Sequence, residues 1–131
     1  MSEEREIDIG IPGGIFELLP DDGEGAALDM EQAIGGLERN LQRAVTGTDS
    51  QEEATEYVVD AIEHLEDRIE RYDEFIPELR AWGQSPVYAV AWRNLYAEVI
   101  AQLYEHEWLG PSIDKERAYR LVEDGIRFGK R

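Results

Sequence analysis

The chain of 131 residues contains no cysteine, only two lysines, only two histidines and no long apolar run. The absence of cysteine excludes disulfide bonds, thiolate metal ligands and a cysteine nucleophile. Because no apolar run approaches the ~20 residues that a membrane-spanning helix needs, we expect no membrane partner. No basic and then apolar leader opens the chain, so we expect no secretion by a signal peptide.

Negative charge is in large excess, since 30 acidic residues stand against 13 basic ones and the net charge is −17. Such a charge repels phosphate groups, so no direct nucleic-acid binding is expected. The acid-rich, lysine-poor and cysteine-free composition resembles that of proteins from salt-in halophilic archaea and their viruses. In about 1 M salt the Debye length is about 3 Å, so a dense carboxylate surface hardly repels itself. We therefore expect a fold that depends on salt, with an ordinary acidic mesophilic protein as the alternative.

Apolar residues recur at helical spacing in four segments, which predicts an all-α fold, an antiparallel bundle of about four helices. The first predicted helix spans about residues 28–45. The second begins at a capping box formed by Ser50 and Glu53 and ends at Gly83, with a kink or a new turn at Pro77. The third begins at Ser85, is apolar over more than half its circumference and ends at Gly110 and Pro111. The fourth follows Ser112 or Asp114 and is predicted to bury Ala118, Leu121 and Val122.

The segment before the first helix is predicted to be an extended arm, residues 1–27, attached to a bundle domain, residues 28–131. Ile7, Ile9 and Ile11 alternate with other residues at the period of a strand, and a second apolar patch follows after Pro12. No other segment reads as a strand that could pair with this one. We therefore expect the arm to dock on a neighbouring chain and not on its own bundle.

Acidic residues of the second predicted helix form two spaced groups, Glu52-Glu53-x-x-Glu56 and Glu70-x-x-Asp73. These groups resemble the EExxE and ExxD motifs of the all-α nucleotide pyrophosphohydrolases of the MazG type. The resemblance implies Mg²⁺ ligands at these five positions and hydrolysis of a nucleotide. In that family the two motifs lie on facing helices, whereas here one helical pattern runs through both groups. An uninterrupted helix would place Glu52 and Asp73 about 30 Å apart, so we predict no metal, no cofactor and no catalytic residue, and keep this enzyme as the alternative.

Aromatic residues gather in the second half of the chain, and Tyr88, Trp92 and Tyr96 stand four residues apart on one stripe of the third helix. Tryptophan and tyrosine are enriched at protein interfaces, because they bury a large area and keep a polar tip. The same stripe also fits the core of a small bundle. The predicted interface combines apolar residues of the arm with aromatic residues of the third helix: Ile7, Ile9, Ile11, Phe16, Tyr88, Trp92, Tyr96 and Trp108.

These patterns together favour a non-enzymatic structural or interaction subunit of a larger protein assembly, with protein partners and a homo-oligomer as the simplest form. A small all-α subunit with a long helical hairpin and an arm resembles the head–tail connector (adaptor) proteins of tailed viruses. That resemblance implies a cytoplasmic or virion-associated protein. The alternatives are the Mg²⁺-dependent nucleotide hydrolase and an acidic regulatory protein that mimics nucleic acid.

Overall fold

The computed structural model describes residues 6–20, 24–48, 50–106 and 115–129. Within these ranges the chain forms helices and no strand, so the fold is an all-α bundle as predicted. Four helices are long and one is short: α1 (Gly13–Glu17), α2 (Glu24–Thr46), α3 (Gln51–Ala81), α4 (Val87–Glu105) and α5 (Lys115–Gly129). None of the described helices combines the length and the apolar character that crossing a membrane requires.

The longest helix, α3, begins and ends where the local signals predict. The Ser50 side chain accepts a hydrogen bond from the Glu53 N–H at 3.1 Å and caps the first turn. At the other end Gly83 has a φ of +75°, and the Gln84 N–H reaches back to the Leu79 carbonyl at 2.9 Å. Of the two outcomes predicted at Pro77, the separate terminal turn is wrong, because α3 continues through this exposed proline to Ala81.

The central helix is α4, whose buried residues lie on most of its circumference. Ser85 accepts a hydrogen bond from the Val87 N–H at 3.4 Å, but the N-cap residue is Pro86, so the helix starts one residue later than the sequence predicts. The helix ends at Glu105, earlier than the predicted stop at Gly110 and Pro111, which lie outside the described residues. Contacts between Tyr72 and Tyr96, and between Asp73 and Arg93, show that α3 and α4 run antiparallel.

The arm does not dock as predicted, because it packs on its own bundle. Ile7, Ile9 and Ile15 are 4%, 7% and 4% exposed and belong to the same core cluster as residues of α2, α3 and α4. Ile11 is half-buried against that cluster. The end of the arm is also earlier than predicted, because α2 begins at Glu24 and takes up residues 24–27.

In the described part of the arm, residues 6–20, the backbone forms no strand and pairs instead with side chains of α2. The Ile7 N–H donates to Gln42 Oε1 at 2.6 Å, and the Ile9 N–H donates to Glu38 Oε2 at 2.8 Å. Glu38 and Gln42 are four residues apart, so they project from one face of α2. This spacing matches that of residues 7 and 9 of the arm. The backbone N–H groups of Ile7 and Ile9, which were expected to need a partner strand, therefore find acceptors on α2.

A second row of side chains, from α4, holds the other edge of the arm. Gln102 accepts from the Gly10 N–H at 2.8 Å and donates to the Gly10 carbonyl at 2.7 Å. One turn later, His106 Nε2 lies 2.7 Å from the Glu6 carbonyl oxygen. The arm therefore lies in a groove between α2 and α4, with polar side chains on both edges and isoleucines pointing into the core.

Candidate interaction surface

Large apolar side chains are exposed where α3 turns into α4. Phe75 is 42% exposed, Trp82 65% and Tyr88 41%. Tyr72, three residues before Phe75, and Trp92, four residues after Tyr88, are half-buried. We call these five residues the aromatic patch. Several exposed aromatic residues at the junction of two packed helices are typical of binding surfaces and not of a solvated helix face.

The patch rests on an ordered stack of rings. The Tyr96 ring centroid lies 6.3 Å from that of Tyr72 and 5.7 Å from that of Trp92. The guanidinium carbon of Arg68 lies 5.8 Å from the Tyr96 ring centroid, and Arg68 Nη1 donates to the Tyr96 hydroxyl at 3.3 Å. These contacts hold α3 against α4 and fix the half-buried rings of Tyr72 and Trp92 before any partner arrives.

An open cleft of about 520 Å³ lies along the patch and is lined by Arg68, Arg71, Tyr72 and Phe75. Burial raises the pKa of Tyr72 above its ordinary value of 10.0, with a smaller contribution from Tyr96, while Arg68 acts in the opposite direction. Tyr72 is therefore a neutral hydroxyl at pH 7. The cleft offers guanidinium groups beside aromatic faces, which suits a partner surface with carboxylates next to apolar side chains.

The residues predicted to form the interface fall into different places. Tyr88 is exposed and Trp92 half-buried in the patch, whereas Tyr96 is 7% exposed and belongs to the core, so a direct surface role for Tyr96 is wrong. Among the arm residues, Ile7 and Ile9 are core residues of their own bundle. Ile11 and Phe16 are half-buried in the same arm, and Trp108 lies outside the described residues.

The five carboxylates that resemble the pyrophosphohydrolase motifs do not come together. All of them lie on the continuous helix α3. Glu53 and Glu56 line one open cleft beside Arg43, and Glu70 and Asp73 line another beside Leu121 of α5. Glu52, also on α3, lies in its exposed first turn. Over the described ranges, no group of three or more histidine, aspartate or glutamate side chains could hold a metal ion.

An ion pair with a fully buried arginine, which the sequence reasoning missed, joins α3 to α4 on the side that faces α5. Arg93 is 0% exposed, and its Nε donates to Asp73 Oδ1 at 2.8 Å. Its Nη1 donates to the Leu121 carbonyl, so one side chain joins α3, α4 and α5. Asp73, assigned above to the possible metal motif, therefore serves as a structural partner of an arginine. The available signal was a lone arginine inside the most apolar helix, where a buried charge needs an acidic partner.

The chain belongs to DUF7971, a family of unknown function, which matches residues 1–130. No curated protein and no solved structure matches the chain. The family match covers the arm and the bundle together, in agreement with the packing of the arm into the core.

Proposed function

We propose that this member of DUF7971 is a non-enzymatic interaction subunit of a larger protein assembly, and that the aromatic patch is the surface through which it binds. The observation that carries this proposal is the exposure of Phe75 and Trp82 towards the end of α3 and of Tyr88 in the first turn of α4. Burying each of these rings would stabilise a complex by about 1.5–3 kcal/mol. Such rings are the usual anchors of protein interfaces.

The stacked rings of Tyr72, Trp92 and Tyr96 strengthen the proposal. A binding surface gains affinity when its side chains are already ordered. Tyr72, Trp92 and Tyr96 are in ring contact, and Arg68 is held against Tyr96. A partner therefore loses little side-chain entropy in docking on them. The arm contributes to the stability of the subunit and leaves the patch free for binding.

The experiment compares native extracts of cells that carry tagged full-length protein. We expect the wild-type protein to elute in a complex well above its own mass, and Trp82→Ala with Tyr88→Ala to release it. The matched control is Leu28→Ala, which removes a 54% exposed apolar residue of α2 outside the patch and should leave the complex intact. Elution of the wild-type protein at the mass of one or two chains would contradict the proposal.

The non-enzymatic part has a separate test. Purified protein is incubated with Mg²⁺ and a panel of nucleoside triphosphates, and released pyrophosphate is measured. We expect the wild-type protein to release no more pyrophosphate than the variants Glu53→Gln and Glu70→Gln. Turnover lost in both variants would instead support the nucleotide pyrophosphohydrolase.

The halophilic origin and the likeness to head–tail connectors stay predictions. The first is tested by circular dichroism of the purified chain at increasing KCl concentration. We expect helix content to rise between about 10 mM and 1 M KCl, as the Debye length falls from about 30 Å to about 3 Å. Complete, cooperative folding in dilute buffer at pH 7 would contradict the halophilic interpretation.

A further inference from the structure

One exposed line of side chains in the second half of α3 carries basic residues on one side of Phe75 and an acidic residue and an indole on the other. Two antiparallel copies of this line are therefore complementary. Arg68, Phe75 and Trp82 are spaced by seven residues, close to two helical turns, so they fall on one line along the helix. Arg71 and Glu78 have the same spacing and lie beside that line. We call these five residues the α3 ridge. All five side chains are exposed.

We infer that two copies of this chain pair through the α3 ridge, antiparallel, about a twofold axis at Phe75. This inference rests on the proposed function and names the first partner of the patch as a second copy of the same chain. A twofold axis at Phe75 stacks the two Phe75 rings on each other. The axis also reverses the direction of the second helix. The end of the ridge with the two arginines in one copy therefore faces the end with Glu78 and Trp82 in the other.

The charges on the ridge match this operation. Arg71 lies about 6 Å before Phe75 along the helix axis and Glu78 about 4.5 Å after it, so the twofold axis brings Arg71 of one copy opposite Glu78 of the other. Arg68 and Trp82 lie equally far from Phe75, about 10 Å on either side, so the Trp82 indole of one copy comes opposite the Arg68 side chain of the other. The Arg68 guanidinium stays against Tyr96 of its own chain, and the indole packs on its exposed stem. Both contacts occur twice in the dimer, because the interface is isologous.

The distribution of charge along α3 favours this half of the helix for the contact. Its basic residues are Arg68, Arg71 and Arg80, all in the second half, while the first half carries only acidic charge. Two chains of net charge −17 repel each other, so they approach best where guanidinium groups face outward. Arg71 already pairs with Asp67 of its own helix at 3.1 Å, but both side chains are more than half exposed, and such a pair exchanges readily for a better one.

The patch on α4 extends the contact. Trp92 is joined to Tyr72 of α3 through the Tyr96 ring, and Tyr88 lies one turn before Trp92 on the same face of α4. The dimer contact therefore continues from α3 onto α4 and covers the rings that are exposed in the single chain.

The experiment exploits charge reversal and its rescue, measured on the purified full-length chain by light scattering and analytical ultracentrifugation. The KCl concentration is the lowest at which circular dichroism shows full helix content for every variant. We expect a wild-type dimer, and an increase of about tenfold or more in its dissociation constant for Arg71→Glu and for Glu78→Arg, because each reversal places like charges opposite each other twice. The double variant R71E/E78R should restore the dimer, since the same pairs return with exchanged signs.

Matched controls separate pairing from net charge. Arg39→Glu on α2 and Glu52→Arg at the start of α3 change the charge by the same amounts at exposed positions off the ridge, and should leave the dissociation constant unchanged. Equal effects of the controls and the ridge variants would overturn the inference. A double variant as weak as the single ones, or a wild-type monomer, would overturn it too.

A second measurement does not depend on charge. The chain has no cysteine, so Phe75→Cys introduces a single thiol. A residue on the twofold axis meets its own copy, and oxidation should give a disulfide-linked dimer in high yield, because the two α-carbons lie within about 7 Å. Tyr57→Cys, five turns earlier on the same side of α3, is the control and should stay unlinked. No link at position 75, or equal linking at both positions, would overturn the inference.

The outcomes also distinguish this inference from the proposed function. If the purified chain is a monomer but the patch variants still release it from a large complex in extracts, the self-pairing fails and the interaction subunit stands. If the dimer forms through the ridge but extracts contain nothing larger, the self-pairing stands and the role in a larger assembly fails.

Discussion

The arm and the aromatic patch are both apolar surfaces that the sequence marks as candidates for binding, and the fold treats them in opposite ways. The arm's isoleucines are covered by their own bundle, with Ile7 and Ile9 at 4% and 7% exposure. In the patch, Phe75 and Trp82 stay 42% and 65% exposed. The difference lies in the polar groups around each surface. Side chains of α2 and α4 meet the backbone of the arm, whereas the patch has guanidinium groups at its edge and rings pointing outward.

The largest expected effect comes from removing the arm. Deletion of residues 1–19 takes three core isoleucines away, each worth about 1.5–3 kcal/mol, against a total stability of about 5–15 kcal/mol for a domain. We expect the truncated chain to lose most of its cooperative urea transition, followed by circular dichroism. Phe75→Ala is the matched change on the patch and should shift stability by less than about 1 kcal/mol. A bundle that stays fully folded without the arm would show that the arm, like the patch, is not needed for the stability of the fold.

The next effect concerns the ion pair between Arg93 and Asp73, which joins α3, α4 and α5. Asp73→Ala leaves Arg93 charged, 0% exposed and without its carboxylate, and we expect a loss of about 3–5 kcal/mol in the free energy of unfolding. Arg93→Met replaces the buried charge with an apolar side chain and leaves a carboxylate that is 34% exposed and can take up water. We expect it to cost less than Asp73→Ala. Equal losses in urea titrations would mean that the pair contributes through packing and not through charge.

A smaller effect tests the polar edge of the groove. Gln102→Ala removes two hydrogen bonds to Gly10 at a position that is not deeply buried, so we expect a loss of about 1–2 kcal/mol. Amide hydrogen exchange at Gly10 should speed up while exchange in α3 stays unchanged. Gln84→Ala, an exposed glutamine after α3, is the control and should leave Gly10 protected. Unchanged exchange at Gly10 in Gln102→Ala would show that the isoleucines alone hold the arm.

The smallest effect is a pH dependence on the arm side of α4. Glu98 lies one turn before Gln102, and burial raises its pKa above the ordinary value of 4.5, with a smaller contribution from Glu105. The folded state therefore binds this proton more tightly than the unfolded one. The corresponding stability is full below pH 4.5 and is lost as the pH rises through the raised pKa. Glutamine does not ionise, so Glu98→Gln does not lose stability as the pH rises. Its urea midpoint should exceed that of the wild type at pH 7, and the difference between the two midpoints should shrink towards pH 4.

Glu52→Gln, on the exposed first turn of α3, is the control for that pH series and should not change the difference between pH 7 and pH 4. If Glu98→Gln destabilises the chain at pH 7, the ionised carboxylate at this position makes a favourable contact. Its charge then stabilises the fold, contrary to the prediction.

Local signals in the sequence account for the helices. Ser50 and Glu53 mark the start of α3, Gly83 its end and Ser85, to within one residue, the start of α4, because a cap or a turn depends on a few neighbouring residues. The helical spacing of apolar residues identifies the buried faces, with Ala118 of α5 among them. The same spacing is unable to distinguish a core ring from a surface ring, so Tyr88 and Tyr96 look alike in the sequence and differ in the fold.

The sequence by itself therefore determined the all-α class, both ends of α3, the acidic surface and the places where aromatic residues gather. The tertiary structure alone decided where the arm goes, since Gly10 meets Gln102 across 92 positions of the chain. It also made Asp73 the partner of Arg93, in place of a metal ligand. The physical reason is that propensity and capping act over one or two helical turns, whereas burial and pairing depend on which distant side chains the packing of the helices brings within reach.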